Sequence, residues 1–337
     1  MNTTHISRAN RLGEWAPLAA LMGVLAVVFG YAAWLYLQGH PQPAATIAGV
    51  YLCFMLSLAV ALAPGFRGSR DALQRCFRSR RKAPLLASIW ITPYLVYAAG
   101  TGDFRWSALA TLLAFGGTLV AIYACFQVRD EGALNWQDAL VAAVLIAVVL
   151  SQRLKGIWNV PQNLDFIARL YLIGVAGWCW TALRVVPRLG YELTLSMKAL
   201  KAAGLNFLWF ALLALPAGLA LNFIAWNPRW RGWPQITLDY LEIFLFIALL
   251  EEMFFRGFLQ TLLARTLRSE YGSQALVAVL FGLFHILHAP FPNWRYVALA
   301  TVAGWFYGQA FRQGGGLMAA ALTHAGVDTV WRAFFTR

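Results

Sequence analysis

Long runs of apolar residues alternate with short polar segments along the chain. A helix that crosses the hydrocarbon core of a bilayer needs about 17–25 mostly apolar residues. Ten runs approach this length, near 15–37, 44–63, 83–99, 106–128, 166–186, 202–226, 238–263, 274–289, 296–311 and 317–335. An eleventh run, at 137–150, is shorter and is as typical of a re-entrant or interfacial helix as of a membrane span.

This pattern predicts an all-α fold, a polytopic transmembrane helical bundle with about 10–11 membrane segments. The composition agrees, because 60% of the 337 residues are hydrophobic and 12% are charged, whereas soluble domains carry about 25% charged residues. The mean hydropathy is +0.61. The first run, from Trp15 to Leu37, is too long for a signal-peptide core and predicts a first transmembrane helix.

Basic residues are concentrated in short segments between the apolar runs. The segment 67–82 holds seven Lys and Arg against one acid, Asp71, and the segment 184–201 is also basic. Cytoplasmic loops carry such an excess, so we expect both segments and the N-terminus to lie in the cytoplasm. The net charge of +13 therefore indicates the lipid bilayer as a partner and does not indicate nucleic acid.

The four cysteines are far apart in the sequence and include no C-x-x-C pair. This spacing argues against a disulfide framework and against a zinc knuckle. The chain also contains neither an H-E-x-x-H motif nor a G-x-S-x-G elbow. A zincin site and a serine hydrolase site of those types are therefore not expected.

Three ionisable residues, Glu251, Glu252 and Arg256, interrupt the apolar run 238–263. Charged side chains at membrane depth cost about 2.5–3.5 kcal/mol each on insertion scales, so they mark a functional site by default. Glu252 and Arg256 are four residues apart and share a helix face, whereas Glu251 points about 100° away. We expect Glu252 to pair with Arg256 and Glu251 to remain available.

More polar residues follow in the next apolar runs. His285 and His288 are three residues apart, with Phe281 one turn earlier, and we expect them to share a helix face. His324 and Asp328 are four residues apart in the last run. Of these histidines, His288 is nearest to the predicted membrane edge.

Three kinds of chemistry fit this set of side chains. A carboxylate beside a cation can activate water, and a histidine can transfer the proton when an amide bond breaks. Zinc bound by Glu251, His285 and His324 is a second reading, because glutamate and histidine are common zinc ligands. A non-catalytic transporter or immunity protein with a proton relay is a third, because intramembrane acids and histidines form such relays.

The motifs, in their order, resemble the CPBP family of intramembrane proteases. That family includes the type II CAAX prenyl endopeptidases and bacterial homologues. The resemblance rests on Glu251-Glu252 with Arg256, on Phe281 with His285, and on His324 with Asp328, and it covers about 200–335. Asp328 stands where the family usually has Asn, and the Gly-Gly-Leu at 315–317 stands where it usually has Gly-Ser-Leu.

The resemblance implies a glutamic intramembrane endopeptidase without a catalytic metal. Glu251 would activate water with the help of His285, Glu252 would pair with Arg256, and His324 and Asp328 would line the oxyanion side. It further implies that the domain at 201–337 is the protease core and contains the active site, with 1–200 as a transmembrane scaffold. The expected substrate is a membrane-anchored protein or peptide, and the expected location is a bacterial inner membrane.

The charge pattern predicts a topology that reporter fusions can test. A reporter joined after Lys82 should be active only if it is of the cytoplasmic type, because the seven basic residues of 67–82 hold that segment inside. A periplasmic reporter at the same point serves as the control. Strong periplasmic activity there would contradict the predicted topology.

Overall fold

The computed structural model describes residues 13–77 and 80–336, and in this part of the chain it contains twelve helices. The predicted all-α class is confirmed. One short antiparallel pair, Ala225–Trp226 with Phe335–Thr336, is the β structure of the described residues. The helices are α1 Ala16–Gly39, α2 Ala44–Leu62, α3 Arg67–Phe77, α4 Pro84–Thr101, α5 Trp106–Cys125, α6 Trp136–Ser151, α7 Phe166–Trp178, α8 Met197–Ala220, α9 233–267, α10 Glu270–Leu283, α11 Trp294–Gly314 and α12 Leu317–Phe334.

Five of these helices have the length and apolar composition of a membrane span. They are Ala16–Gly39, Ala44–Gly65, Trp106–Cys125, Phe166–Leu183 and Met197–Ala220. The protein is therefore an integral membrane protein. The ambiguous run at 137–150 forms the shorter apolar helix α6.

The chain divides into two compact units. The first comprises Met1–Glu131 and Asn135–Val186, and the second comprises Gly132–Leu134 and Pro187–Arg337. This division by contacts begins the second unit at Pro187. The functional boundary between 1–200 and 201–337 stays a prediction.

In the first unit, glycines allow neighbouring helices to approach closely. Gly49 of α2 faces Gly100 of α4, and a Cβ added at Gly49 would lie 2.6 Å from the Cα of Gly100. Gly174 of α7 leaves room for the indole of Trp90 in the same way. Small residues at helix crossings are a usual device of membrane bundles.

A buried ion pair joins α6 to the end of α7 in the first unit. Arg184 Nε lies 3.1 Å from Asp138 Oδ1, and both side chains are fully buried. Tyr123 donates a hydrogen bond to the same carboxylate oxygen at 2.8 Å. Arg184 also donates to the backbone carbonyls of Glu131 and Asp130. Arg184, the first residue of the basic segment 184–201, is therefore buried within this unit, and the predicted cytoplasmic side of that segment stays a prediction.

The basic segment 67–82 is also more ordered than the sequence indicated. Much of it forms helix α3, which buries Ser69, Leu73 and Phe77. Arg67 and Arg75 are exposed, and Arg75 pairs with Glu14. An amphipathic helix with a basic face stands where we expected a loop.

In the second unit, α8, α10 and α12 pack around α11, and α9 packs against α10 and α12. Helix α9 is not regular, because π-helical turns at Phe244–Ala248 and Met253–Gln260 interrupt it. Wide turns of this kind occur frequently at functional sites. The second one carries Arg256.

The Arg184–Asp138 pair should contribute strongly to stability. Arg184→Met leaves the Asp138 carboxylate buried without its counter-charge, which should cost about 3–5 kcal/mol. The double variant Arg184→Met with Asp138→Asn removes the stranded charge and should be less destabilised. Apparent unfolding temperatures in detergent measure both, with the exposed Arg153→Met as the control. Equal loss in the single and double variants would contradict this account.

Candidate active site

A salt bridge inside α9 is the centre of the candidate site. Arg256 Nη1 donates to Glu252 Oε1 at 2.8 Å, and neither side chain has any exposed surface. Arg256 Nη2 donates to the carbonyl oxygen of Gly304 in α11 at 2.8 Å. The two arms of the guanidinium therefore hold α9 and α11 together, a geometry that the planar fork of arginine suits.

His324 of α12 extends this salt bridge into a chain of four groups. Its Nδ1 lies 2.9 Å from Glu252 Oε1, and its Nε2 lies 3.5 Å from Asp328 Oδ2. An ionised carboxylate only accepts hydrogen bonds, so both ring nitrogens carry protons when both carboxyls are ionised. The charges of Arg256, Glu252, His324 and Asp328 then sum to zero.

Aromatic rings enclose the buried guanidinium. Arg256 Cζ lies 4.7 Å from the ring centroid of Phe281 and 5.3 Å from that of Tyr307. Tyr307 also stacks on the His324 imidazole, with centroids 4.5 Å apart and planes inclined by 14°. A cation over such ring faces gains electrostatic stabilisation. Tyr307 was not among the site residues predicted from the sequence, although it lies one helical turn after Gly304.

His285 lies beside the chain of four groups rather than in it. Helix α10 ends at Leu283, so the prediction that His285 and His288 share a helix face was wrong. Both lie in the turns that follow, where their rings stack with centroids 5.7 Å apart. Phe281 lies between His285 and the site, because its ring centroid is 4.9 Å from that of His285 and 5.7 Å from that of His324.

The tautomer of His285 follows from its backbone contact. Its Nδ1 lies 2.9 Å from the Phe281 carbonyl oxygen, which can only accept, so Nδ1 carries a proton. In the neutral ring, Nε2 then holds the lone pair. His285 is half-buried, and its ring is 4.6 Å from that of Tyr296.

Glu251 differs from Glu252 in its surroundings. Glu252 is fully buried, whereas Glu251 is half-buried and lies on another side of α9. The charges of Glu251 and Arg256 are close enough to interact. The structure thus gives the two neighbouring acids one enclosed and one more accessible position.

Two glutamines add hydrogen bonds between α11 and the helices α9 and α10. Gln274 of α10 donates to the Trp305 carbonyl oxygen at 3.0 Å, and Gln260 of α9 donates to that of Gly308 at 3.4 Å. Together with Arg256, they bring three side-chain donors to the backbone of α11. Neither glutamine was predicted from the sequence, although a glutamine inside an apolar run is itself a signal.

The site opens onto a groove in the same unit. Asp328 and Tyr296 line this open groove, whose volume is about 480 Å³. The side chain of Asp328 is 31% exposed, while that of His324 is 4% exposed. The chain of four groups therefore runs from an enclosed end at Arg256 to an accessible end at Asp328.

Comparison with known proteins identifies this region. Residues 232–330 match the family model described as Type II CAAX prenyl endopeptidase Rce1-like. The region is a CPBP-family domain. It contains all six predicted site residues. No curated protein and no solved structure matches the chain.

The hypothesis of a zinc site can be tested against the positions of possible ligand side chains in the CPBP domain. Within residues 13–77 and 80–336, no group of three or more His, Cys, Asp or Glu side chains is arranged to hold a metal ion. Both ring nitrogens of His324 face carboxylates, so His324 would have to give up one of these contacts to become a ligand. The absence of a metal cofactor stays a prediction.

Arg256 should not be replaceable by lysine. Arg256→Lys keeps the charge but cannot reach both Glu252 and the Gly304 carbonyl with a planar fork. Loss of a hydrogen bond to a charged group should destabilise the protein by about 1.5–3 kcal/mol. Thermal unfolding in detergent measures this loss, with Arg332→Lys as a matched control for a partly exposed, paired arginine. Equal stability of the two variants would contradict the role of the fork.

Proposed function

We propose that this protein is a glutamic intramembrane endopeptidase. It hydrolyses a peptide bond in a membrane-associated protein or peptide, with a water that Glu251 activates. The family domain supports an intramembrane CAAX-type protease in general terms. The observation that carries the finer proposal is the contrast between an enclosed, doubly hydrogen-bonded Glu252 and an accessible Glu251.

The contacts of Glu252 suit a structural role. Its Oε1 already accepts from Arg256 at 2.8 Å and from His324 at 2.9 Å. Both donors contact the same oxygen, so this carboxylate is already engaged in contacts between helices of the protein. Glu252 therefore holds α9, α11 and α12 in place and keeps the charge of Arg256 compensated.

Glu251 is the better candidate for the general base. It is half-buried, so water can approach it from the accessible side of α9. In the proposed step, Glu251 takes one proton from water while the oxygen forms a bond to the carbonyl carbon of the peptide. The proton then goes to the leaving amine as the carbon–nitrogen bond breaks, and His285 assists through Nε2.

In this proposal, His324 and Asp328 face the carbonyl oxygen of the substrate peptide bond. The contact from His324 Nε2 to Asp328 is 3.5 Å, longer than the usual 2.7–3.2 Å of an N–H···O bond. An oxyanion that approached Nε2 would therefore replace only a weak contact. Asp328 would then be the adjustable partner that releases the imidazole donor.

The proposal also covers the substrate and the membrane in which the protein lies. The substrate is a membrane-anchored protein or peptide, since the family domain is of the CAAX-protease type and the chain has helices that can span a bilayer. We propose a bacterial inner membrane because of the resemblance to bacterial homologues, and we place the N-terminus in the cytoplasm because of the basic segments.

Substitution of the acids should separate their roles. Glu251→Gln should lower the cleavage rate by about 10²–10⁴-fold, because it removes the base but keeps the size. His285→Ala should lower it comparably without loss of folding. Glu252→Gln should lower both activity and unfolding temperature, because Arg256 is left without its counter-charge.

The assay uses purified full-length protein in detergent with a membrane-anchored reporter peptide. Glu270→Gln is the control, since the Glu270 side chain is 76% exposed at the start of α10. Cleavage that persists with a chelator and disappears in Glu251→Gln supports the glutamic mechanism. Cleavage that a chelator abolishes and zinc restores would overturn it, and ion-dependent flux without cleavage would indicate a transporter.

A further inference from the structure

Tyr307 of α11 is a buried tyrosine whose hydroxyl group has no acceptor in the described chain. Its side chain is 1% exposed. Within residues 13–77 and 80–336, no oxygen or nitrogen atom accepts a hydrogen bond from this hydroxyl. Buried polar groups in proteins are paired as a rule, and a buried donor without an acceptor is costly. The hydroxyl therefore points to an acceptor that comes from outside the chain.

Other buried tyrosines of the protein do have acceptors. Tyr191 donates to the Met253 carbonyl oxygen at 2.7 Å, and Tyr123 donates to Asp138 Oδ1 at 2.8 Å. The side-chain atoms of the described residues that are both fully enclosed and unpaired lie on residues other than Tyr307. The Tyr307 oxygen therefore keeps a small accessible surface, as a group that receives a ligand must.

The hydroxyl of Tyr307 lies toward the outer nitrogen of His324. The two rings are stacked, with centroids 4.5 Å apart and planes inclined by 14°. His324 Nδ1 faces Glu252, and Nε2 faces Asp328. Of these two carboxylates, Asp328 interacts more strongly with the Tyr307 hydroxyl. The hydroxyl is therefore on the Nε2 side of the imidazole, next to the groove that Asp328 and Tyr296 line.

The packing of its ring holds the Tyr307 hydroxyl in place. Arg256 Cζ lies 5.3 Å from the centroid of the Tyr307 ring, and the Phe281 ring meets its edge with centroids 5.8 Å apart. His324 covers one face of the ring. A donor that is fixed before the reaction begins needs no reorganisation when charge develops beside it.

The oxyanion side of the proposed reaction requires such a donor. A carbonyl oxygen that gains negative charge is stabilised by donors already aimed at it. His324 Nε2 provides one donor, but the ionised carboxylate of Asp328 accepts hydrogen bonds only and repels a second anion. A phenol hydroxyl can donate a hydrogen bond without carrying a charge. Tyr307 therefore offers a neutral donor beside the cationic one.

We propose that Tyr307 is a catalytic residue whose hydroxyl donates a hydrogen bond to the carbonyl oxygen of the peptide bond that is cleaved. The inference rests on the proposed endopeptidase function and deepens it by naming a second oxyanion donor. When the water activated by Glu251 adds to the carbonyl carbon, an electron pair of the double bond moves to the oxygen. The phenol keeps its proton and shares it with this oxygen until the carbon–nitrogen bond breaks and the double bond forms again.

Tyr307→Phe tests the inference, because it keeps the ring and removes only the hydroxyl. In purified full-length protein in detergent, kcat for a membrane-anchored reporter peptide should fall about 10²–10³-fold, as after the loss of one oxyanion donor. KM should stay unchanged, because the hydrogen bond strengthens only in the transition state. Tyr271→Phe removes the same atom from an exposed tyrosine of α10, and this matched control should keep the full rate.

Thermal unfolding separates a catalytic role of Tyr307 from a structural one. Tyr307→Phe loses no hydrogen bond within the described chain, so its unfolding temperature should equal or exceed that of the unsubstituted protein. Tyr191→Phe is the structural comparison, because it removes the hydrogen bond to the Met253 carbonyl oxygen and should unfold at a lower temperature.

A phosphonamidate analogue of the reporter peptide measures the oxyanion contact directly. Its tetrahedral, negatively charged oxygen resembles the transition state, and such analogues depend on the contacts that stabilise it. With a chelator present throughout, its inhibition constant should rise at least about tenfold in Tyr307→Phe, as for a lost hydrogen bond to a charged group. In Tyr271→Phe the inhibition constant should stay unchanged.

Two results would overturn the inference and leave the proposed function standing. The first is cleavage and inhibition in Tyr307→Phe equal to those of the unsubstituted protein. The second is a loss of cleavage in Tyr307→Phe that comes with the same fall in unfolding temperature as in Tyr191→Phe. If the unsubstituted protein neither cleaves the peptide nor binds the phosphonamidate, the proposed endopeptidase function fails, and the catalytic role of Tyr307 fails with it.

Discussion

The carboxylate of Glu252 is the group on which the C-terminal unit depends. It has no exposed surface, and an ionised group in such a place is tolerated only with close counter-charges and hydrogen bonds. Arg256 provides one partner from the same helix, and His324 provides another from α12. Because Arg256 also holds the Gly304 carbonyl, three helices are joined through one oxygen and one guanidinium.

The shape of α9 and the small residues of α11 make this arrangement possible. A wide turn at Met253–Gln260 carries Arg256, and a Cβ added at Gly304 would lie 3.3 Å from Arg256 Nη2 and 3.0 Å from the Cα of Ala278. A larger residue at 304 would push the guanidinium away from the carbonyl it holds. The rings of Phe281 and Tyr307 then exclude water from the pair, which strengthens its electrostatic attraction.

Much of the fold could be predicted from the sequence, because apolar runs of membrane length have few other stable conformations. Helices formed at each of the predicted runs, including the short one at α6. Two local features could not be predicted. Arg67–Phe77 forms an amphipathic helix because Leu73 and Phe77 find apolar neighbours, and Arg184 is buried because Asp138 of α6 lies within reach.

The sequence by itself determined which side chains are costly at membrane depth, and thus singled out Glu251, Glu252, Arg256, His324 and Asp328. Local spacing was sufficient to pair Glu252 with Arg256, since a helix places residues four apart on one face. Only the tertiary structure decided that His324 contacts Glu252, that Tyr307 stacks on His324, and that His285 lies beyond the end of α10. These contacts join residues that are distant in the chain, and the packing of several helices sets their distances, which no local periodicity contains.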